Sequence, residues 1–243
     1  MNNKVAIFLH LYYTDLWEEF EDMFKALPDP FTLYVNLTEG NADNDLAKKK
    51  ILKSYPDAYI LISVNQGLDI GGRLRLMDLW IKNGGQEEYI VWLHGKKSIH
   101  SMGEHVGNVW RKQLTEIILP EKFNEALNLF ENEQDVGMIG SKLYVTSYTY
   151  WDHESAFYNL NRVNIDNYCS LLNINYEKDL VFISGTMFWI RSSIYKKTFQ
   201  KVSPLDIANG LEYGYCSGVS KTHALERILG AIVGSHKHKV IGI

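Results

Sequence analysis

The chain has 243 residues, of which 46% are apolar and 22% charged, with a formal net charge of -4. That composition predicts a packed core rather than disorder, and it excludes a general electrostatic attraction to nucleic acid or anionic membrane. The two cysteines, Cys169 and Cys216, have no CxxC spacing, which argues against a disulfide framework and a thiolate zinc site.

The chain opens with Val5-Ala-Ile-Phe-Leu9, a continuous apolar run with the pattern of a strand covered on both faces, and too short for a signal-peptide core or a membrane span. The expected setting is therefore cytoplasmic, with association at the inner face of a membrane left open. His10, Tyr12 and Tyr13 follow at the strand's carboxyl end. Leu16, Trp17, Phe20, Met23, Phe24 and Leu27 then recur at helical spacing, and Pro28 and Pro30 end that helix.

Phe31 to Leu37 predicts a second strand, and Asn41 to Ser54 a polar surface helix with a solvated Lys48-Lys49-Lys50 face. Tyr59 to Val64 is the third strand. Asn65-Gln-Gly-Leu-Asp-Ile-Gly-Gly72 follows, leading into a helix that Asn83-Gly-Gly85 terminates. The fourth strand, Tyr89-Ile-Val-Trp-Leu-His94, delivers His94, Lys96, Lys97 and Ser98 to one point. Strand–helix alternation predicts a mostly parallel sheet, with ligands beyond the carboxyl ends of its strands.

The second half is less regular. Ile99 to Gly107 reads as a loop, with helices near Trp110–Leu119 and Glu121–Phe130, the latter started by Pro120. A short apolar run spans Val136–Gly140, and Tyr144–Tyr158 is dense in Tyr and Trp. Leu180–Ile190, the most apolar segment, is broken at Ser184-Gly185. After Ser220, Ala224, Leu225, Ile228, Leu229 and Ile232 form an apolar helical stripe, with His223, Glu226, Arg227 and Gly230 opposite. No linker or repeat divides the chain, so a single domain is expected. The tail His236-Lys-His-Lys239 reads as a loose terminus.

Several constellations could carry chemistry. Lys96 and Lys97 at a strand terminus suit a diphosphate, or form a solvated turn. A divalent ion on His94, His100 and His105 lacks a compact spacing and an Asp-x-Asp pair. The Gly-rich Asn65–Gly72 stretch can bring a ligand close to backbone, but it matches neither the dinucleotide fingerprint nor a P-loop. Asp69 can accept from a sugar hydroxyl or cap the following helix. Trp189 and Arg191 can form a platform and clamp, although Trp189 also suits a core. Glu226 borders either solvent or the cleft. No Gly-x-Ser-x-Gly elbow, Cys/His pair or HExxH supports a hydrolase.

Five segments, Ala6-Ile-Phe-Leu-His-Leu-Tyr-Tyr13, Asn65-Gln-Gly-Leu-Asp-Ile-Gly71, Leu93-His-Gly-Lys-Lys-Ser98, Gly185-Thr-Met-Phe-Trp-Ile-Arg191 and His223-Ala-Leu-Glu-Arg-Ile-Leu-Gly230, together resemble the rhamnan synthesis F family of polysaccharide assembly. The resemblance covers nearly the whole chain. It implies an α/β, GT-A-like glycosyltransferase, with a nucleotide-sugar-binding half over 1–100 and an acceptor-side half over 101–243. It further implies a dTDP-rhamnose-like donor and a glycan or lipid-linked glycan acceptor. Two departures stand in the first loop, where Gln66 and Leu68 replace the family's usual arginines. Two more are Gly95 where Thr is common and Gly72 where Pro is common.

On that resemblance the candidate site divides into three sets. His10, Asn65, Gly67, Asp69, Arg73, His94 and Ser98 face the donor. Gly185, Thr186, Trp189, Arg191 and His223 face the acceptor. Glu226 is the candidate base, His94-Gly95-Lys96 stands where GT-A enzymes place a metal-binding Asp-x-Asp, and Lys96 and Lys97 are the candidate catalytic cations. Side-chain cations are then expected to replace the metal, with no cofactor required and Mn²⁺ or Mg²⁺ as the alternative. A non-catalytic carbohydrate-binding module and a phosphotransferase are the competing readings.

Overall fold

The apolar run after Lys4 becomes β1 (Val5–Leu11), a strand buried along its whole length. The computed structural model describes residues 3–95, 97, 104–147, 156–176, 180–215 and 219–243, without the side chains of 104–106 and 156–160. β2 (Phe31–Thr38), β3 (Tyr59–Ser63) and β4 (Tyr89–His94) lie parallel to β1 in the spatial order β3-β2-β1-β4. The crossovers are a 3-10 turn (Thr14–Leu16) with α1 (Trp17–Lys25), then α2 (Asn44–Ser54) and α3 (Leu68–Lys82).

The second half contributes α4 (Glu104–Thr115), α5 (Pro120–Asn132), β5 (Val136–Gly140), β6 (Val145–Ser147), α6 (Ala156–Leu172) and β7 (Val181–Ile183). β8 (Phe188–Arg191), α7 (Ser192–Thr198), α8 (Pro204–Asn209), α9 (Lys221–Ser235) and β9 (Lys239–Gly242) complete it. The sheet thereby grows to the order β3-β2-β1-β4-β8-β5-β9, with β8 antiparallel to both neighbours and β9 parallel to β5. This is the mostly parallel α/β sheet flanked by helices that strand–helix alternation predicts. β6 and β7 form a separate antiparallel pair.

Strand alternation sorts the core into two layers. Ala6, Phe8, Tyr34, Ile90 and Trp92 pack with α3, α6 and α9 on one face. Val5, Ile7, Leu9, Val35, Val91 and Leu93 pack with α1, α2 and α5 on the other. His10, Asn36 and His94 continue the first series, and His10 pairs in register with both Asn36 and His94. One row of polar side chains thus ends the first face at the sheet's carboxyl edge. A Cβ on Gly72 would stand 2.1 Å from His10 Nδ1 and 2.5 Å from Asn36 Oδ1, so glycine lets α3 close over that row.

Three expectations change here. The tail is no loose terminus: Lys239–Gly242 forms the edge strand β9, and Lys239 pairs with Asp135. Gly230, expected on the exposed stripe of the last helix, is buried, and a Cβ there would meet Val181 O at 1.9 Å. The segment expected to be a loop over Ile99–Gly107 is helical from Glu104, while 99–103 lie outside the described residues. Most of the Tyr144–Tyr158 stretch lies outside them as well. No described helix is long and apolar enough to cross a membrane.

Candidate functional site

At the carboxyl edge, His10 Nδ1 lies 2.8 Å from Asn36 Oδ1, while Asn36 Nδ2 donates to Ser63 Oγ (2.7 Å) and to the carbonyl of Leu61 (3.4 Å). A carbonyl only accepts, which fixes Asn36 Nδ2 as the donor end, so His10 Nδ1 carries the proton. Burial lowers the His10 pKa to about 4, more than Asp69 and the Asn36 hydrogen bond raise it. His10 is therefore neutral near pH 7, and its Nε2, which makes no hydrogen bond to the described residues, is an acceptor. Asn36 was not anticipated, although a lone amide inside an apolar strand was a visible signal.

His94, on the neighbouring strand, donates from Nε2 to the carbonyl of Gly185 at 2.9 Å. Gly185 occupies the third position of a turn closed by Thr186 N–H to Ile183 O, where φ is +83° and glycine is favoured. The turn aims one peptide each way: Gly185 N–H donates to Glu226 Oε1 at 2.8 Å, on the second turn of α9. Thr186 follows with φ +55°, and Leu68 at the start of α3 has φ +50°, so two of the non-glycine left-handed residues lie in the loops that frame this cluster.

Asp69 lies between them. Its Oδ2 pairs with Arg73, accepts from Thr186 Oγ1 at 2.7 Å and lies 3.9 Å from His94 Nε2. Burial alone would raise its pKa, but His94, Arg73, the Thr186 hydroxyl and His10 together hold it well below the usual carboxylate range. It is a fixed anion, and its Oδ1 accepts no hydrogen bond among the described residues. It does not cap α3, whose cap residue is Gly67 with no side-chain bond.

His223, in the first turn of α9, bonds through Nδ1 to Ser220 Oγ at 2.7 Å, and that hydroxyl also caps the helix by accepting His223 N–H at 3.1 Å. Burial lowers its pKa against the raising fields of Glu226 and Asp69. His10, Asp69, His94, Gly185, Thr186, His223 and Glu226 thus lie together in one cluster.

Other candidates take different roles. Arg73 is fully buried, donates to Asp69 and Thr186, and lies 4.8 Å over the Trp92 ring, so it holds Asp69 in place and does not reach a donor. Thr186 is likewise buried against Asp69 and Arg73, not open to an acceptor. Trp189 is no platform: it is fully buried, donates to Ile117 O at 3.0 Å and packs edge-on against Phe123.

Arg191 is no clamp at this site. β8 runs antiparallel, so Arg191 pairs in register with Tyr89 at the opposite edge, donating to the carbonyls of Val136, Phe130 and Glu133. Gly67 offers no open backbone, because Leu211 occupies the space a Cβ would take. Asn65 Oδ1 is buried without a hydrogen-bond partner among the described residues. Lys97 pairs with Asp15 and lies 5.2 Å from the Tyr13 ring centre. Lys96, Ser98 and His100 lie outside the described residues, as does the side chain of His105. Among the described residues no three His, Cys, Asp or Glu side chains group as a metal-ion site.

The model of the family described as Rhamnan synthesis protein F matches residues 1–238. The chain belongs to this family. A search of curated proteins finds no match. Among solved structures, a mannosyltransferase from Pyrobaculum calidifontis in complex with GDP-mannose and Mn²⁺ is similar over the whole chain at 10% identity and a TM-score of 0.44. A nucleotide-diphospho-sugar transferase from Desulfovibrio desulfuricans is similar at 15% identity and 0.42. The present chain spans 55% of the first and 80% of the second. In this rhamnan synthesis F member, the Gln66 amide donates to Asn209 O (2.7 Å) and Leu211 O (2.9 Å), so position 66 faces the chain's own 209–213 segment.

Proposed function

We propose that the protein is a glycosyltransferase that moves a sugar, L-rhamnose or a related deoxysugar, from a nucleoside-diphosphate donor to a glycan or lipid-linked glycan acceptor. The observation that carries this reading is that Glu226 and His94 are held by the N–H and the C=O of Gly185, with the Asp69 carboxylate beside them. The arrangement combines a base, a fixed anion and hydroxyl acceptors at the edge where such sheets bind ligands.

In this reading Glu226 takes the proton from the acceptor hydroxyl. The freed oxygen attacks the anomeric carbon with inversion, and the bond to the diphosphate oxygen breaks with its electron pair leaving on the nucleotide. Asp69 Oδ1 and His10 Nε2 accept hydroxyl hydrogens of the donor sugar and fix its orientation. Lys96 and Lys97 neutralise the departing diphosphate, each contributing about 3 kcal/mol, with Lys97 exchanging Asp15 for phosphate. If EDTA abolishes turnover and Mn²⁺ restores it, the diphosphate is held by a metal and this cation role is wrong.

The test is a panel of nucleotide sugars, dTDP-L-rhamnose included, incubated with and without oligosaccharide acceptors while free nucleoside diphosphate is measured. Release that depends on acceptor supports the transfer. Glycan binding with no release of diphosphate from any donor would leave a carbohydrate-binding module instead.

A further inference from the structure

The segment Glu212–Tyr215, between α8 and α9, takes no part in the chemistry above, yet it is tied to both sides of the cluster. Gly67 N–H donates to Glu212 O (2.8 Å), Gly214 N–H donates to Asn65 O (3.0 Å), and Tyr213 forms an antiparallel bridge with Gln66. On the other side the Glu212 carboxylate accepts from Lys221 N–H (2.8 Å), Thr222 N–H (3.3 Å) and Thr222 Oγ1 (3.1 Å), closing the first turn of α9 just before His223 and Glu226. Arg75 braces the junction through Gln66 Oε1 (3.0 Å) and Asn209 Oδ1 (3.1 Å).

This pinned backbone carries two rings into solvent, Tyr213 at 72% exposure and Tyr215 at 74%. A Cβ on Gly214 between them would meet nothing within 4 Å among the described residues. Scattered exposed aromatics are ordinary. Here two stand on a strand-bridged segment that also closes the first turn of α9, beside the cluster. Because the backbone is already ordered, a ligand that stacks there loses little free energy to loop immobilisation.

The chemistry around the rings favours a neutral ligand. The ionic groups of the segment are taken, Glu212 by the α9 amides and Lys221 Nζ by Gly210 O at 2.9 Å. We propose that Tyr213 and Tyr215 form an acceptor platform on which a pyranose ring of the glycan stacks by its C–H face. The proposal rests on the transferase reading and replaces the platform role expected of Trp189.

The test compares wild type with Y213A/Y215A and Y213F/Y215F. Saturation-transfer NMR uses neutral oligosaccharides in one arm and nucleoside diphosphate alone in the other, with thermal unfolding as the check on folding and acceptor kinetics where turnover exists. The alanine pair is expected to lose the oligosaccharide signal and raise acceptor KM about tenfold with kcat retained. The phenylalanine pair is expected to keep both, since the ring and not the hydroxyl does the stacking. Unchanged glycan binding in the alanine pair overturns the platform, as does loss of nucleoside-diphosphate binding in its place. If wild type turns over no nucleotide sugar while the alanine pair still loses glycan, the platform stands and the transferase reading falls.

Discussion

At the amino edge of the sheet, polar side chains are consumed by fixed structural partners. Arg191 donates to three backbone carbonyls, Glu87 accepts from Trp80 Nε1 at 2.7 Å, and Ser192 Oγ donates to Glu87 O at 2.6 Å. At the carboxyl edge, residues of the same chemical types hold one another and keep bonding capacity in reserve. Among the described residues His10 retains Nε2, Asp69 retains Oδ1, and Glu226 makes one backbone bond and a 3.3 Å contact with Arg227. Both edges contain an arginine against an aromatic ring, so burial and ion pairing alone do not mark a site. The useful distinction is whether acceptor atoms remain after the fold's own hydrogen bonds are counted.

That contrast can be broken by substitution. Glu226→Gln should lower kcat by about 10²–10⁴ while thermal unfolding stays within a few degrees of wild type, because the amide oxygen still accepts Gly185 N–H. Wild-type turnover in this variant would remove Glu226 as the base. Arg73→Met leaves the Asp69 carboxylate without its buried partner and should cost about 3 kcal/mol in urea unfolding. A loss under 1 kcal/mol would mean the pair contributes little to holding the cluster.

Acid should act on the same edge. The folded pKa of His10, about 4, lies below its ordinary value of 6.5, so in that window the unfolded chain binds a proton the folded chain does not. Stability should therefore fall as pH drops from 6.5 toward 4, by up to about 1.4 kcal/mol per pH unit from this group. His10→Asn should flatten that slope in urea melts taken from pH 7 to 4.5, and an unchanged slope would assign it to other groups. The smallest effect is expected at the amino edge: Arg191→Met should cost about 1–2 kcal/mol in stability and leave kcat/KM unchanged. A drop in kcat/KM out of proportion to stability would erase the distinction between the edges.

The first half was legible because its signals are strong and local. Continuous apolar runs marked the strands, of which β1 and β4 are buried along their whole length and β3 is a partly exposed edge, and Pro28, Pro30 and Asn83-Gly-Gly85 punctuated the helices between them. His10, His94 and Asp69 were found because a parallel sheet assigns strand ends to one edge. The same logic failed for Arg191 and Trp189, since nothing in Leu180–Ile190 shows that β8 reverses direction. The spacing of Asp69 and Arg73 put them on one helical face, but their burial depends on Trp92 and Thr186, which are distant in sequence. Tyr213 and Tyr215 carried no periodic signal, and their place depends on the long-range bridge to Gln66.

The central claim is that nucleotide sugar binds the carboxyl edge, and the histidines provide a built-in control. His10 and His94 lie at that edge, whereas His236 bonds to Thr198 and His238 precedes β9 near the amino edge. Imidazole ¹H–¹⁵N spectra, assigned by single His→Asn variants, can be recorded while nucleotide sugars are titrated. The account predicts saturable shifts of the His10 and His94 resonances with His236 and His238 unmoved. Shifts confined to His236 and His238 would place the ligand elsewhere and contradict it.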